Sequence, residues 1–479
     1  MTKEKVNKNP LWQTTSKERK SYYIYFTGQN MIYTLVTTIL TTALLFQGID
    51  VAKAAGITLL IKIWDAVNAA IFGCIFDKVR FKSGKKFIPW LKISLIAIPV
   101  STVLLFSMPK DGSEAFKLAW YAITYILWDT AYTLCDVPIY GMVTAMTERL
   151  DERTALQSYK SIWGGAGSGL STILATVLAG EGIGFSYSTV SIIISVVALI
   201  TMVFICKNGV ERCVGEQDES FTVRKMFKYL FSNKNLLIYY AGVFFYSGAN
   251  IAGQMTLIVA FYLFKSSQFS LVVMALSAIP SLVFSLLVPK MVEKFDKMKI
   301  FMFCGILTIA LSIVMWLLGY SNVWLIVALY VIRSVPQSIS GVMLFMFTPD
   351  CAEYGKFKSG IEAKGITFAI QTFMAKLTGA ISSALYLFLL GVIKWKDVSA
   401  AENFDQLKEL GITQSPETLD GLWFLFIMVP AIGIALGCIF WAFYKLRDHY
   451  VQLMTDANNG KTTREEALEK MINKKEFIK

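Results

Sequence analysis

The sequence is poor in charged residues and contains almost no histidine. Charged residues make up 17% of the 479 residues, whereas a soluble domain usually has about 25%. Because His449 is the single histidine, histidine-based catalysis and a histidine proton relay inside an apolar segment are excluded. No G-x-x-x-x-G-K-S/T phosphate loop is present, so direct use of ATP is not expected. The low charge, together with a hydrophobic fraction of 55%, excludes a soluble enzyme.

Cysteine motifs are also lacking. The seven cysteines are scattered, with no C-x-x-C spacing and no cluster with histidine. This pattern predicts neither a disulfide framework nor a metal centre. We therefore expect no cofactor, and no metal beyond a Na⁺ that a cation site would hold.

Long apolar runs dominate the chain, of which 55% is hydrophobic. A helix needs about 20 apolar residues to cross a bilayer, and its backbone must satisfy its own hydrogen bonds there. Twelve runs meet this length, which predicts an all-α membrane protein with twelve transmembrane helices. The runs are 22–47, 54–76, 88–107, 116–146, 156–180, 187–206, 236–264, 268–289, 300–319, 322–348, 365–394 and 421–445.

The net charge of +12 follows from the expected topology. Lysine and arginine are concentrated in the N-terminal segment, in the loops after spans 2, 6 and 8, and in the tail. The loops after spans 1, 5 and 9 have almost none. By the positive-inside rule, both termini are cytoplasmic. We expect a multi-pass protein of the cell membrane that is a monomer in the lipid bilayer and has no nucleic-acid partner.

The longest polar interruption divides the spans into two sets of six. The expected parts are an N-terminal half over 1–206, a cytoplasmic middle loop over 207–235, a C-terminal half over 236–445 and a cytoplasmic tail over 446–479. In the middle loop, Ser220 is suited to cap a helix, and Phe221, Lys225, Lys228 and Phe231 give that helix an amphipathic pattern.

A weak repeat links the two halves. Span 1 contains Phe26-Thr27-Gly28-Gln29-Asn30, and span 7 contains Tyr246-Ser247-Gly248-Ala249-Asn250. An aromatic, a hydroxyl, a glycine and an asparagine thus recur at the same place in each half. Together with the six-plus-six division, this pattern favours a duplicated transporter with its site between the halves.

Ionisable residues within spans are costly in lipid and usually face a functional cavity. Seven of the ionisable residues in the spans are the candidates for such a cavity: Lys62, Asp65, Asp129, Asp136, Lys160, Arg333 and Lys376. Asp129, Thr133 and Asp136 follow an i, i+4, i+7 spacing, which predicts one helix face with two carboxylates and a hydroxyl. Such a face suits a cation or sugar hydroxyls.

The other intramembrane charges have different expected surroundings. Lys62 and Asp65 are three residues apart on span 2 and can pair. Arg333 precedes Pro336, which favours a kink in span 10. Lys376 has no carboxylate in its own span, so its partner must come from another helix. In span 5, Gly165 and Gly169 predict close packing against a neighbouring helix.

Several motifs together resemble the glycoside–pentoside–hexuronide:cation symporters, the melibiose-permease-like family. The similar stretches follow the whole chain in order. They are Lys62-Ile63-Trp64-Asp65-Ala66-Val67-Asn68-Ala69, the loop from Asp77 to Trp90, span 4 from Tyr125 to Pro138, Asp350-Cys351-Ala352-Glu353-Tyr354-Gly355, and Gln371-Thr372 to Lys376.

The resemblance implies the major facilitator fold and cation-coupled sugar uptake. It implies a cation site at Asp65, Asn68 and Thr133, and a sugar site at Asp136 with Tyr140 as the stacking aromatic. Lys160 and Lys376 match basic positions of the family. The full set of expected substrate-binding residues is Asn30, Asp136, Tyr140, Lys160, Arg333 and Lys376. A cytoplasmic gate is expected at Asp77, Lys78 and Arg80.

Two positions depart from the family pattern. Ala69 stands where the family commonly has a second carboxylate, and Asn30 stands where a sugar-binding Asp is found. One replacement for the lost carboxylate is Asp129, which we add to the expected cation site. The other possibilities are proton coupling and uncoupled transport.

The expected function is import of a glycoside or oligosaccharide coupled to Na⁺ or H⁺ by alternating access. The alternatives are an uncoupled sugar facilitator, a hexuronide carrier and a lysolipid carrier. A membrane enzyme is disfavoured because no nucleophile–base pair is recognisable.

Overall fold

The computed structural model describes residues 12–79, 81–212, 229–360 and 364–471. Every regular element in these ranges is a helix. The chain forms two compact units. The first contains Met1–Ser220 and Asp397–Ile412, and the second contains Phe221–Lys396 and Thr413–Lys479.

The first unit is built from the helices of spans 1 to 6 and one short helix from the segment 397–412. They are α1 (Ser16–Thr34), α2 (Leu40–Phe46), α3 (Val51–Lys78), α4 (Ile88–Phe106), α5 (Glu114–Met146), α6 (Leu150–Ala179), α7 (Tyr187–Asn208) and, later in the chain, α15 (Phe404–Glu409).

The second unit contains the helices of spans 7 to 12 and of the tail. They are α8 (Lys234–Gly248), α9 (Ala252–Phe264), α10 (Phe269–Lys294), α11 (Lys297–Leu318), α12 (Val323–Met343), α13 (Phe347–Ser359), α14 (Lys364–Val392), α16 (Pro416–Ala442), α17 (Asp448–Asn458) and α18 (Arg464–Glu469).

The helices agree with the predicted spans. Among the described residues, ten helical segments are long and apolar enough to cross a membrane. The two remaining predicted spans, 54–76 and 116–146, lie on α3 and α5. These helices have 28 and 33 residues, more than the roughly 20 that a crossing requires.

A capping box and a buried carboxylate fix the start of α1. Thr15 and Glu18 form the capping box, which satisfies two otherwise unpaired backbone donors. Just before it, the Thr14 backbone N–H donates to the Glu152 carboxylate at 3.0 Å, and the Thr147 hydroxyl donates to it at 2.7 Å. Burial raises the pKa of Glu152, but these hydrogen bonds outweigh that effect and lower it overall. The carboxylate thus ties the N-terminal segment to α6.

Span 1 contains one irregular turn. The residues Leu35–Ile39 form a π-helical turn between α1 and α2, which widens the helix locally. Span 7, the other member of the sequence repeat, has a different irregularity. Its helix ends at Gly248 and a new helix begins at Ala252. The repeated motif therefore lies in a continuous helix in span 1, whereas in span 7 the helix breaks within the motif.

The predicted C-terminal half over 236–445 needs one correction. Residues Asp397–Ile412 pack with the first unit. Phe404 is 1% exposed and its ring lies 5.2 Å from that of Phe46. Asn403 donates to the Gly184 carbonyl at 2.6 Å. Burial of apolar side chains therefore decides where this loop packs. The long apolar runs that locate the spans give no information about such a contact.

The predicted tail is part of the second unit's core. Met454 and Met471 are buried in that core, and Asn458 donates to the Glu353 carbonyl at 2.9 Å. The amphipathic helix predicted around Phe221 lies mainly outside the described residues.

The loop contacts predict a large stability effect for Phe404. The Phe404→Ala variant removes a buried ring, and we expect the free energy of unfolding in detergent to fall by about 3 kcal/mol. The thermal midpoint of the purified protein measures this change. Leu410→Ala removes a 56% exposed side chain from the same segment and serves as the matched control. Equal midpoints for the two variants would contradict the assigned packing.

Candidate functional site

The first polar cluster joins α3 to α5. The Asn68 side-chain amide donates from Nδ2 to Asp129 Oδ2 at 2.9 Å and to Thr133 Oγ1 at 3.2 Å. The Thr133 hydroxyl donates to the backbone carbonyl of Asp129 at 2.9 Å. All three side chains are buried. The i, i+4 spacing of Asp129 and Thr133 therefore brings both onto the same amide of a neighbouring helix.

One oxygen of this cluster has no partner. Asn68 Oδ1 is buried and has no hydrogen bond among the described residues. A buried amide oxygen without a donor is costly, and here it lies on the side chain that binds the Asp129 carboxylate. Amide, hydroxyl and carboxylate oxygens are suitable ligands for a hard cation. The cluster thus has the donor set for a small cation.

Lys62 and Asp65 precede Asn68 on α3 by six and three residues. Both side chains are half-buried. The Lys62 ammonium lies 5.8 Å from the centroid of the Tyr125 ring on α5, a cation–π distance. Ala69 follows Asn68 in the helix, and its side chain lies outside the described residues. The described carboxylate that directly contacts Asn68 is that of Asp129.

The second polar cluster joins α1 to α5. Gln29 donates from Nε2 to Asp136 Oδ1 at 2.8 Å. Gln29 is 2% exposed, and its Oε1 atom has no hydrogen-bond partner among the described residues. This cluster repeats the chemistry of the first, because an amide from another helix holds a carboxylate of α5 and keeps one oxygen unpaired.

Sequence reasoning selects Asn30 and misses Gln29. Asn30 donates to the Phe26 carbonyl of its own helix at 2.9 Å and lies against Gly164 of α6. Gln29 occupies the variable position of the repeat motif, so the motif does not identify it as a candidate. A polar side chain in the middle of an apolar span is the signal that could have identified it.

An aromatic and a cationic side chain lie beside the second cluster. The Lys160 ammonium on α6 lies 4.0 Å from the centroid of the Tyr140 ring and 5.1 Å from that of Phe26. Tyr140 is 46% exposed. The expected stacking aromatic and the expected basic residue are therefore brought together, with part of the tyrosine surface accessible.

Glycines of α6 position α1 for these contacts. A Cβ at Gly167 would collide with the backbone of Thr27, and a Cβ at Gly164 would lie 2.9 Å from Asn30 Nδ2. The prediction for Gly165 and Gly169 is wrong, because a Cβ at either would meet no atom within 4 Å among the described residues. Close packing thus uses a different face of α6, the one that contacts α1.

The second unit holds the remaining predicted side chains. Arg333 on α12 is 1% exposed, with its guanidinium carbon 6.0 Å from the Tyr330 ring centroid. Its Nε and Nη2 atoms have no hydrogen-bond partner among the described residues. Lys376 on α14 is half-buried.

The predicted cytoplasmic gate remains a prediction. Asp77 and Lys78 are the last residues of α3, but their side chains, and Arg80 as a whole, lie outside the described part of the chain.

Comparison with known proteins identifies the family. The model of the MFS/sugar transport protein family matches residues 22–448, so the chain belongs to this family of the major facilitator superfamily. It is a multi-pass membrane transporter and not an enzyme.

Individual proteins agree with this assignment. The glucuronide carrier protein homolog of Escherichia coli is 22% identical, and the match covers 89% of this chain and 92% of the relative. The isoprimeverose transporter of Lactiplantibacillus pentosus is 24% identical, with 92% and 90% covered. The crystal structure of the nucleoside transporter NupG matches with a TM-score of 0.60 at 14% identity, covering 90% of this chain and all of NupG. This likeness to a solved structure shows the major facilitator fold.

Proposed function

We propose that the protein imports a glycoside or an oligosaccharide by alternating access, coupled to Na⁺ or H⁺. The observation that carries this proposal is the Asp136 carboxylate, held by Gln29 beside the accessible ring of Tyr140. Carboxylate and amide oxygens accept hydrogen bonds from sugar hydroxyls. An aromatic ring covers the apolar face of a sugar, and the Lys160 ammonium donates to its oxygens.

The Asn68, Asp129 and Thr133 cluster is the proposed cation site, with Asp65 one helical turn away on α3. Two of its residues, Asp129 and Thr133, lie on the same helix as Asp136, and Asp129 and Asp136 are seven residues, two turns, apart. A cation bound at Asp129 reduces the negative charge of α5 and reorders its amide partner. Sugar and cation therefore favour each other's binding, which is the thermodynamic condition for coupling.

The proposed setting is the cell membrane, with both termini in the cytoplasm and the chain acting as a monomer. The positive-inside distribution of lysine and arginine supports this orientation. An uncoupled facilitator is the second candidate, favoured by Ala69, which removes one carboxylate from the family's cation site.

Imposed ion gradients distinguish these candidates. In vesicles containing the protein, an inward Na⁺ or H⁺ gradient should drive accumulation of a labelled glycoside. At 100 mV, one co-transported positive charge supplies about 2.3 kcal/mol, or roughly 50-fold accumulation. Equilibration without accumulation under Na⁺, Li⁺ and H⁺ gradients would establish facilitation and reject coupling.

Changes at Asp136 and Gln29 test the sugar site. We expect Asp136→Asn to abolish sugar binding while the protein stays folded, because the amide replaces the charged acceptor. Gln29→Leu should weaken binding about 10-fold, since a hydrogen bond to a charged group is lost. Binding to detergent-purified protein measures both effects, and the thermal midpoint reports folding. Unchanged affinity in Asp136→Asn would remove Asp136 from the site.

A change at Asp129 tests the cation site. The Asp129→Asn variant keeps the shape of the side chain and removes its charge. We expect cation-driven accumulation to be lost while sugar exchange across the membrane continues. Asp111→Asn makes the same change in an exposed loop residue and should behave as wild type. Full accumulation in Asp129→Asn would show that coupling does not use this carboxylate.

A further inference from the structure

Arg333 of α12 is a buried charge in a part of the chain that has no carboxylate. Its side chain is 1% exposed, and a guanidinium remains protonated at any physiological pH. The six predicted spans from 236–264 to 421–445 contain no aspartate or glutamate, and Arg333 forms no ion pair with any described residue. A buried charge is normally paired, so the described side chains do not supply the negative charge that this guanidinium requires.

The neighbouring Tyr330 ring does not replace a counterion. The guanidinium carbon lies 6.0 Å from the centroid of that ring, which is the outer limit of a cation–π contact. Tyr330 also stacks on Phe426 of α16, with ring centroids 5.9 Å apart and an interplanar angle of 7°. The ring is therefore held by packing against α16, and its weak attraction does not offset the cost of burying the charge.

Hydrogen-bond donors surround this charge on one face of α12. Nε and Nη2 of Arg333 are buried without a hydrogen-bond partner among the described residues, and their N–H bonds point to the same side of the planar group. Tyr330 lies three residues before Arg333 and Gln337 lies four residues after it, so both are on the same helix face. Both side chains are half-buried. This face combines a positive charge with N–H and O–H donors, which is what an anion requires.

The charge and the burial of this face favour a small monovalent anion. One negative charge neutralises the single guanidinium charge, whereas a divalent sulfate or phosphate would leave an excess negative charge within the apolar spans, where it is costly. An oxyanion also has further oxygens that must find donors when they are buried. A monatomic ion accepts hydrogen bonds from any direction, so it leaves no oxygen unpaired. Chloride is the abundant ion of this kind.

We propose that the second unit binds a chloride ion at the Nε and Nη2 edge of Arg333, and that this ion is the counterion of the buried guanidinium. Tyr330 and Gln337 supply the further donors. The ion stabilises the folded protein with or without a sugar, because every group that binds it lies on α12. The inference therefore does not rest on the proposed transport function.

Thermal midpoints in different salts test the proposal. The full-length protein, purified in detergent, is titrated with sodium chloride while sodium methanesulfonate keeps the ionic strength constant. A ligand that binds only the folded state raises its stability with concentration, so the wild-type midpoint should rise progressively with chloride, and bromide should replace chloride. An unchanged midpoint would overturn the proposal. A larger rise with formate or sulfate than with chloride would overturn the assignment of a monatomic anion.

Variants of Arg333 locate the effect. Arg333→Met removes the charge and keeps an unbranched side chain. We expect it to lose the chloride response and, in buffer without chloride, to melt at or above the wild-type midpoint, because it buries no unpaired charge. Arg333→Lys keeps the charge but lacks the planar edge, and should weaken chloride binding about 10-fold through loss of a charged hydrogen bond. If Arg333→Met does not fold, the titration of Arg333→Lys decides the result.

Arg447→Gln is the matched control. The Arg447 guanidinium forms an ion pair with Asp296 at 3.4 Å, outside the predicted spans, so it has a counterion from the protein. This variant should keep the wild-type chloride response. A full response in Arg333→Met would place the ion elsewhere and overturn the proposal. Loss of sugar transport with the chloride response intact would overturn the proposed function alone.

Discussion

The cost of an ionised side chain inside an apolar helix bundle determines how the polar side chains of the first unit are arranged. Asp129 and Asp136 lie on a membrane helix, where an unpaired carboxylate is unfavourable. Each is held by an uncharged amide from another helix, Asn68 on α3 and Gln29 on α1. A lysine in place of either amide would form an internal ion pair and neutralise the carboxylate. The amide instead donates a hydrogen bond to the carboxylate without bringing a positive charge of its own.

This arrangement accounts for the unpaired oxygen on both amides. An amide has donors on one side and an acceptor on the other. When its nitrogen binds the carboxylate, its oxygen points elsewhere, and in Asn68 and Gln29 that oxygen has no partner among the described residues. A ligand that supplies a hydroxyl or a positive charge there would satisfy it. Each unpaired oxygen lowers the stability of the protein without ligand. Binding of such a ligand would remove this cost, which would add to its affinity.

Sequence reasoning predicted the spans well because an apolar run of about 20 residues matches the thickness of a bilayer and exceeds the usual length of a buried core helix. It also predicted one face of span 4 with Asp129, Thr133 and Asp136. The structure brings Asp129 and Thr133 to the same Asn68 amide, whereas Asp136 binds Gln29 of a different helix. It failed where the neighbouring helix decides the outcome. Adjacent residues such as Gln29 and Asn30 are separated by about 100° around a helix, and the pattern does not say which of them faces α5. For the same reason, the sequence predicted close helix packing at Gly165, whereas the structure shows it at the adjacent residue, Gly164.

The loop 397–412 was beyond sequence reasoning for a different reason. Hydropathy locates the spans on either side of it, but burial of Phe404 depends on an apolar surface formed by distant parts of the chain. No local pattern encodes that surface.

The two units differ in chemistry although they share a six-helix plan. The predicted spans of the first contain all the intramembrane carboxylates, and those of the second contain only cations. The repeated motif also diverges, since span 1 is helical through Asn30 while span 7 breaks after Gly248. Duplication alone would give equivalent polar groups in both halves. The carboxylates are instead confined to the spans of the first unit, so the two halves have diverged in the charged residues that their spans contain.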